Sequence, residues 1–246
     1  MPRHQIITPR SLVAIAAAVM GIALIFGNTA AVAKVEKKSL LLSDGSEIIY
    51  SVVTPDGYDG KRALPAILAF PGGDQQSVSV GWGLKHYWQA EAEARGYLII
   101  SPQSPGLTFI EGNWTRIPDF LERIKIHFKI RDNRFHLAGV GVGGLSAFQV
   151  AAFYPDYFLS ILAIPGHVWA PGEEKYQALR GLCIVQIAGA PEIEWADGAR
   201  RDHAKFREMG MNPFLDILPG KVSWRSPYMD RGAGKLFDMI ENRTGC

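Results

Sequence analysis

Apolar residues recur along most of the chain in short continuous runs, and segments with helical spacing separate those runs. A continuous apolar run is typical of a strand that is buried on both faces. The pattern predicts strands over residues 64–70, 97–102, 134–140, 158–166, 182–189 and 214–220, and helices over residues 84–94, 117–128, 144–154, 196–209 and 228–242. Strands that alternate with helices predict an α/β fold, with a mainly parallel central sheet and helices on both faces.

Two shorter strand-like runs, residues 39–42 and 47–53, precede the alternating part. The Asp44-Gly45 pair between them favours a tight hairpin turn. We therefore expect an antiparallel N-terminal hairpin at one edge of the sheet. Between the fourth and fifth of the predicted main strands lies a looser segment rich in proline and glycine, for which the pattern predicts no element.

The first 33 residues have the order of a secretory signal peptide. Arg3 and Arg10 precede an apolar run, and Ala-Val-Ala at residues 31–33 is typical of a cleavage site after Ala33. The competing interpretation is an uncleaved membrane anchor, because the uncharged stretch 11–33 is long enough to cross a bilayer. Residues 34–246 contain no linker or repeat and predict a single domain. The expected location is periplasmic or extracellular, or at a membrane if the segment is retained.

Charge adds little to this interpretation. The chain carries 26 basic and 24 acidic side chains, and the leader contains two of the arginines and no acid. The remaining charges are balanced and scattered, so no nucleic-acid partner is expected. Histidines and carboxylates do not show metal-ligand spacing, and neither a metal nor another cofactor is expected. The pattern leaves the oligomeric state open.

The two cysteines differ in their surroundings. Cys183 lies within an apolar run, whereas Cys246 is the last residue. Export would permit a disulfide between them. The pattern nevertheless favours an isolated core cysteine and a loose C-terminal tail.

Ligands of open α/β sheets bind beyond the carboxyl ends of the strands, so we expect the functional motifs in the loops that follow the strands. Three stretches carry a resemblance: FPGGDQQ after the strand at 64–70, FHLAGVGVGGLSAF at residues 135–148, and YPDYF at residues 154–158. Together they resemble the α/β-hydrolases of the secreted esterase and polyester-depolymerase type. The resemblance covers residues 46–242 and implies the α/β-hydrolase fold, with an antiparallel hairpin beside a mainly parallel sheet.

The resemblance also implies where the catalytic triad should lie. In that family a strand runs into G-x-S-x-G-G, and the sequence matches this pattern at Gly139, Gly143 and Gly144. Gly141 therefore occupies the position of the serine nucleophile. Glycine offers no hydroxyl, so it cannot form an acyl-enzyme by the route of the family.

The other two triad positions follow from the same comparison. The acid position falls on Glu192, although Glu194 is close enough to leave the register open, and both could be solvated loop carboxylates. The family places its histidine in a segment like Y-P-G-x-x-H-x-W. The matching segment LPGKVSW, residues 218–224, contains no histidine. The resemblance thus implies a degenerate triad, with two of the proton-handling positions lost.

Several neighbouring residues are candidates for binding. The backbone of Gly73 and Asp74 and the N–H of Val142 correspond to the donors of an oxyanion hole. His167 follows the strand at 158–166 and is a candidate for the pocket, with an ordinary loop histidine as the alternative. Trp114 and Trp169 are candidates to line an apolar pocket, with packing as the alternative.

Three hypotheses about function follow. The first is an exported, catalytically inactive esterase homologue that binds a small ester-like or carboxylate ligand, or an envelope partner. The second is an active carboxylic-ester hydrolase with a rearranged site, in which Glu192, Asp74 or His167 acts on a bound water. The third is a structural subunit that binds a partner protein. We also expect Ser146 to be an ordinary helical serine and Ser223 to be a turn residue.

Overall fold

The computed structural model describes Met1, residues 34–223 and residues 226–246. The predicted signal peptide or anchor, residues 1–33, lies outside the described residues apart from Met1, as does Trp224 of the segment that was expected to carry the histidine. Within the described ranges, no helix has both the length and the apolar character needed to span a bilayer.

Eight strands of the described residues form one sheet in the order β1-β2-β4-β3-β5-β6-β7-β8. The first two strands are an antiparallel hairpin, β2 also pairs antiparallel with β4, and the other pairs are parallel. The predicted sheet and hairpin are confirmed. The strands are β1 Lys34–Leu41, β2 Glu47–Thr54, β3 Ala66–Phe70, β4 Leu98–Pro102, β5 Phe135–Gly139, β6 Phe158–Ala163, β7 Cys183–Gly189 and β8 Phe214–Leu218.

Helices connect the parallel strands. They are α1 Ser77–Gly83, α2 Gln89–Arg95, α3 Ile117–His127, α4 Val142–Phe153, α5 Glu173–Ala178, α6 Ile193–Glu208 and α7 Gly234–Glu241, with a π-helical turn Leu84–Trp88 between α1 and α2. Helix α5 lies in the segment for which no element was predicted. Tyr176 is its only buried residue, and a six-residue helix with one buried side chain leaves no periodic apolar pattern in the sequence.

The core lies on both faces of the sheet because successive strand residues point to opposite sides. In β5, Leu137 packs on one face and Ala138 on the other. Helices α3 and α4 cover the face of Leu137, through residues such as Phe120 and Phe148. Helices α1, α2 and α7 cover the face of Ala138. The strands are therefore apolar on both sides, which explains their continuous apolar runs.

The expectation of an isolated Cys183 and a loose tail is wrong. Cys183 and Cys246 form a disulfide, with their Cα atoms 4.0 Å apart. The tail runs beside the start of β7, where the backbone N–H of Ile184 donates to the carbonyl of Gly245 over 2.8 Å. Helix α7 returns the chain to this end of the sheet, and that path depends on tertiary packing that sequence spacing does not reveal.

Removing the disulfide by Cys246→Ser should lower the free energy of unfolding by up to about 4 kcal/mol, because the bond closes a loop of 63 residues in the unfolded chain. Urea unfolding of the wild type and the variant measures the difference. Dithiothreitol should destabilise the wild type and leave Cys246→Ser unchanged. Equal midpoints for the oxidised wild type and the variant would show that the bond does not stabilise the fold.

Candidate active site at the carboxyl ends of the central strands

A sharp turn joins β5 to α4 at the centre of the sheet. Gly141 stands at its tip with φ 57° and ψ −120°, and α4 begins at the next residue, Val142. A positive φ of this kind is strained for residues that have a Cβ atom. The backbone N–H of Gly141 donates to the carbonyl of Ile164 over 3.2 Å, which ties the turn to the end of β6. We call residues 139–144 the elbow.

The glycines of the elbow serve two different purposes. A Cβ atom on Gly139 would collide with the backbone of Gly143, one on Gly143 would lie 2.5 Å from the carbonyl oxygen of Pro71, and one on Gly144 would collide with the carbonyl of Pro165. These three positions must lack a side chain for the backbones to approach. At Gly141, by contrast, no other part of the described structure lies within 4 Å of an added Cβ. Space for a side chain is present at the tip.

The loop after β3 lies against the elbow. An added Cβ on Gly72 would be 3.0 Å from the carbonyl oxygen of Val140, and the next residue, Gly73, has φ 58°. The N–H of Val142 is the first of α4, so it has no acceptor within the helix. Gly73 and Val142 therefore belong to neighbouring stretches of backbone, as the comparison with an oxyanion hole requires.

The carboxylate of Asp74 is held by its own loop. It accepts hydrogen bonds from the N–H of Gln76 over 3.0 Å and from the Ser79 hydroxyl over 2.8 Å. These bonds, with the one from Gln76 as the larger cause, lower the pKa of Asp74. The side chain is exposed and ionised, which suits it to orienting the loop rather than to accepting a proton near neutral pH.

Sequence reasoning missed Gln75, which is fully buried beneath this loop. Its Nε2 atom donates to the carbonyl of Pro71 over 3.1 Å and to the Ser146 hydroxyl over 3.0 Å, and its Oε1 accepts from the N–H of Phe109 over 2.7 Å. Ser146 in turn donates to the carbonyl of Val142. Gln75 thus fastens the loop to α4, and Ser146 is the helical serine that we expected. A glutamine in a polar loop gives no sequence signal for such a role.

Glu192 lies at the start of α6 and reaches the loop after β8. Its Oε2 accepts from the N–H of Val222 over 2.6 Å, and its Oε1 accepts from the N–H of Ser223 over 3.3 Å and from the Ser223 hydroxyl. Glu194 is exposed in the first turn of α6. The register that sequence left open is therefore resolved: Glu192 is the carboxylate that contacts this loop.

In the P-G-x-x-H part of the pattern used for the resemblance, Pro219 and Gly220 set a frame whose fifth position is Ser223. The partners of Glu192 in this loop are the Ser223 hydroxyl and two backbone N–H groups. A serine here cannot take a proton from a nucleophile as imidazole does.

The structure places His167 against α6 rather than over the elbow. Its ring lies where a Cβ atom on Gly198 would stand, and its centroid is 5.7 Å from that of Trp195. The next residue, Val168, donates its N–H over 2.6 Å to Asp202, a carboxylate that is fully buried in α6. Asp202 also accepts from the Tyr176 hydroxyl over 2.7 Å. This carboxylate fixes the loop that carries His167.

The two candidate tryptophans also contact secondary structure away from the elbow. The Trp114 ring stacks on Phe153, at the end of α4, with the centroids 4.0 Å apart. Trp169 is 42% exposed, and its carbonyl accepts a hydrogen bond from Lys175 over 2.6 Å. The structure therefore places the loop that contains Gly73 against the elbow, which contains Gly141 and Val142, and separately joins Glu192 to Ser223.

A groove beside the loop after β3 has a volume of about 630 Å³, and none of the elbow residues 139–144 is among those that line it. Asp74 and Gln76 form one wall, and Gln76 donates from its side-chain Nε2 to the carbonyls of Ser104 and Gly106 in the opposite wall. We call it the elbow groove; it is lined by Glu47, Ile49, Asp74, Gln76, residues 103–108 and Glu111. His167, Trp114 and Trp169 are not among its lining residues.

Across the described part of the chain, no group of three or more potential ligands is placed to hold a metal ion.

Comparison with known proteins identifies the fold on which this site is built. No protein-family model matches the sequence. Dipeptidyl-peptidase 5 of Porphyromonas gingivalis is 26% identical over 144 residues, a match that takes in 53% of this chain and 21% of the relative. This chain thus matches about a fifth of the relative's length.

Two solved structures cover more of the chain. A thermostable esterase superposes with a TM-score of 0.64 at 15% identity, over 83% of this chain and 62% of its own. A ferulic acid esterase superposes with a TM-score of 0.61 at 15% identity, over 86% of this chain and 98% of its own. The chain has the α/β-hydrolase fold. Because identities this low show the fold alone, the chemistry has to be argued from the site residues.

Adding a side chain at two glycines of the elbow should lower the stability of the protein by different amounts. Gly143→Ala should destabilise the protein by more than about 3 kcal/mol, because its Cβ meets backbone oxygens that no rotamer change can move. Gly141→Ala should cost only about 1–2 kcal/mol, since the added atom meets open space and the penalty is backbone strain. Urea unfolding of both variants provides the comparison. Equal losses at the two positions would contradict the distinction between packing and tip glycines.

Proposed function

We propose that this protein is an exported, catalytically inactive member of the α/β-hydrolase fold, which binds a small ester-like or carboxylate ligand at the elbow. The observation that carries the proposal is the tip of the elbow: Gly141 keeps the backbone conformation of the turn and leaves open the space where a nucleophile would stand. The protein would act through binding, as a mature single domain of residues 34–246.

The absence of a standard nucleophile and base supports inactivity. Gly141 supplies no attacking atom. Ser146 is buried and hydrogen-bonded to Gln75 and Val142. Ser223 is bound to Glu192 and has taken the place of the imidazole that would activate a serine. A hydroxyl without such a base is a weak nucleophile at neutral pH.

The backbone donors support binding. The N–H groups of Gly73 and Val142 lie in adjoining stretches, and Val142 opens a helix of 12 residues, whose N-terminal end favours a partially negative atom. An ester carbonyl oxygen suits such donors. The elbow groove, whose wall includes Asp74, the residue after Gly73, carries the acidic side chains Glu47, Asp74 and Glu111. Those charges favour an uncharged ester over a free carboxylate.

The alternative of an active hydrolase with a rearranged site draws support from the relatives, which are named as a peptidase and as esterases. The candidate residues for that chemistry are nevertheless poorly suited to it. Glu192 is held by three hydrogen bonds from the loop after β8, the hydrogen bond from the N–H of Gln76 and then that from Ser79 lower the pKa of Asp74, and His167 packs on α6. A carboxylate with a lowered pKa is a weak general base near neutral pH. We therefore place this alternative second.

Export is supported by two features. The leader has the charge and apolar pattern of a signal peptide. The disulfide between Cys183 and Cys246 is typical of proteins that fold in an oxidising compartment.

The proposal predicts that a fluorophosphonate probe will not label the purified wild type. The double variant Gly141→Ser/Ser223→His should be labelled, and should hydrolyse 4-nitrophenyl butyrate at least about a hundredfold faster than wild type, because it restores the nucleophile and a general base next to Glu192. Gel fluorescence and nitrophenolate release are the measurements. Adding Glu192→Gln to the double variant is the matched control, and should lower the restored rate. Covalent labelling of the wild type would contradict the proposal.

Binding itself can be tested through Val142. Val142→Pro removes the N–H at the first position of α4, where proline is compatible with a helix, and Val142→Ala keeps it. We expect ethyl butyrate to bind the wild type and Val142→Ala with similar affinity, and Val142→Pro about fivefold more weakly, through loss of one hydrogen bond. Isothermal titration calorimetry measures the affinities. Equal binding by all three proteins would place the ligand elsewhere.

A further inference from the structure

A second cavity lies at the opposite end of the sheet from the elbow. It has a volume of about 210 Å³ and lies beside the amino-terminal parts of β5, β6 and β7, under the end of α7 and the C-terminal tail. Most of its wall is apolar, formed by Leu159, Ile161, Leu162, Val185, Met239 and Ile240. We call it the lower cavity. It shares no lining residue with the elbow groove.

A polar pair stands inside this apolar wall. His136 of β5 and Ser160 of β6 are neighbours in the sheet register, and His136 Nδ1 lies 2.8 Å from Ser160 Oγ. Both residues line the lower cavity, and Ser160 is 7% exposed. Ser160 is buried and His136 is partly buried, and polar side chains beside an apolar wall cost stability unless they are hydrogen-bonded. Their mutual bond satisfies Nδ1 and leaves Nε2 of the ring for another partner.

A β-bulge helps to line this cavity. Phe135 pairs with Phe158, but the next residue, His136, pairs with Ser160, so Leu159 is an extra residue on β6. The consecutive residues Leu159 and Ser160 both line the lower cavity. Bulges redirect side chains and are often found beside binding sites.

The charge state of the pair narrows the class of ligand. Burial, and then the nearby charges of Arg131 and Arg134, lower the pKa of His136 to about 4. The ring is therefore neutral at physiological pH, and it offers with Ser160 a neutral donor and acceptor. Asp132 and Arg243 contribute opposite charges to the cavity lining. Because these two charges are opposite in sign, the lining carries no net charge to offset the hydration that a charged ligand would lose among the apolar residues.

Covalent chemistry does not fit this pair. Ser160 lies within a strand that pairs with β5 on one side and β7 on the other, and not at a helix start or turn, where adjacent N–H groups converge to stabilise an oxyanion. A ring with so low a pKa is also a weak base. The pair is built to bind a neutral group rather than to activate one.

We propose that the lower cavity binds a small uncharged molecule of about ten heavy atoms, largely apolar and carrying one hydroxyl group, as the volume and lining indicate. The hydroxyl contacts the His136–Ser160 pair, and the apolar body lies among Leu162, Val185 and Ile240. The tail closes one side, since Arg243 and Thr244 line the cavity and the disulfide at Cys183 holds the tail in place.

The test uses the full chain and three probes of similar size: 4-ethylphenol, ethylbenzene and 4-ethylbenzoate. Calorimetric titration should show 4-ethylphenol binding about fivefold more tightly than ethylbenzene, the gain expected from one hydrogen bond. The anion 4-ethylbenzoate should bind weakest. Ser160→Ala should remove most of the preference for the phenol and leave the affinity for ethylbenzene unchanged. Ser39→Ala, on the exposed strand β1, is the matched control and should change neither affinity.

Two further variants locate the binding. Leu159→Trp should fill the cavity and abolish binding of all three probes, with folding checked by its urea transition. Cys246→Ser should weaken every probe by loosening the wall, and Val142→Pro should leave them unaffected because it alters only the elbow. Absence of saturable 4-ethylphenol binding to the wild type would mean that the cavity holds water only. Binding that is insensitive to Ser160→Ala, or that persists in a folded Leu159→Trp, would overturn the assignment.

Discussion

The close approach of backbones at the elbow is the constraint on which the candidate site depends. Gly143 has no side chain, so the start of α4 lies against the carbonyls that end β3, and Gly144 allows the same approach to Pro165 after β6. These contacts bring the loop after β3 and the first N–H of α4 side by side. A pair of backbone donors at the carboxyl edge of the sheet is therefore a consequence of packing. It persists whether or not a reactive side chain is present.

The glycines of the elbow are under two different constraints. Gly139, Gly143 and Gly144 cannot change without displacing backbone, whereas the tip residue projects into open space. A side-chain-bearing residue at the tip carries strain of about 1–3 kcal/mol, which glycine relieves. Glycine at position 141 thus favours stability and is not required by the packing of the elbow.

The fold was predictable from sequence because its signals are local. Continuous apolar runs marked the strands, and Asp44-Gly45 marked the hairpin. The frame of glycines located Gly141, and the sequence narrowed the acid position to Glu192 or Glu194, of which Glu192 contacts residues 222–223. Features that depend on distant segments left no such signal. Examples are the disulfide formed by the returning tail, the fastening of the β3 loop by Gln75, and the pairing of His136 with Ser160.

The persistence of Glu192 follows from the same reasoning about packing. Its carboxylate accepts from two backbone N–H groups and one hydroxyl in the loop after β8. Gly189 makes room for it, because a Cβ there would lie 2.6 Å from Glu192 Oε2. Removing the acid would leave two backbone donors without a partner, at a cost of about 1–3 kcal/mol for each donor that is buried. Glu192 therefore has a structural role in holding the loop after β8, and that role does not depend on a histidine beside it. The Ser223 hydroxyl contributes to it by donating to the carboxylate.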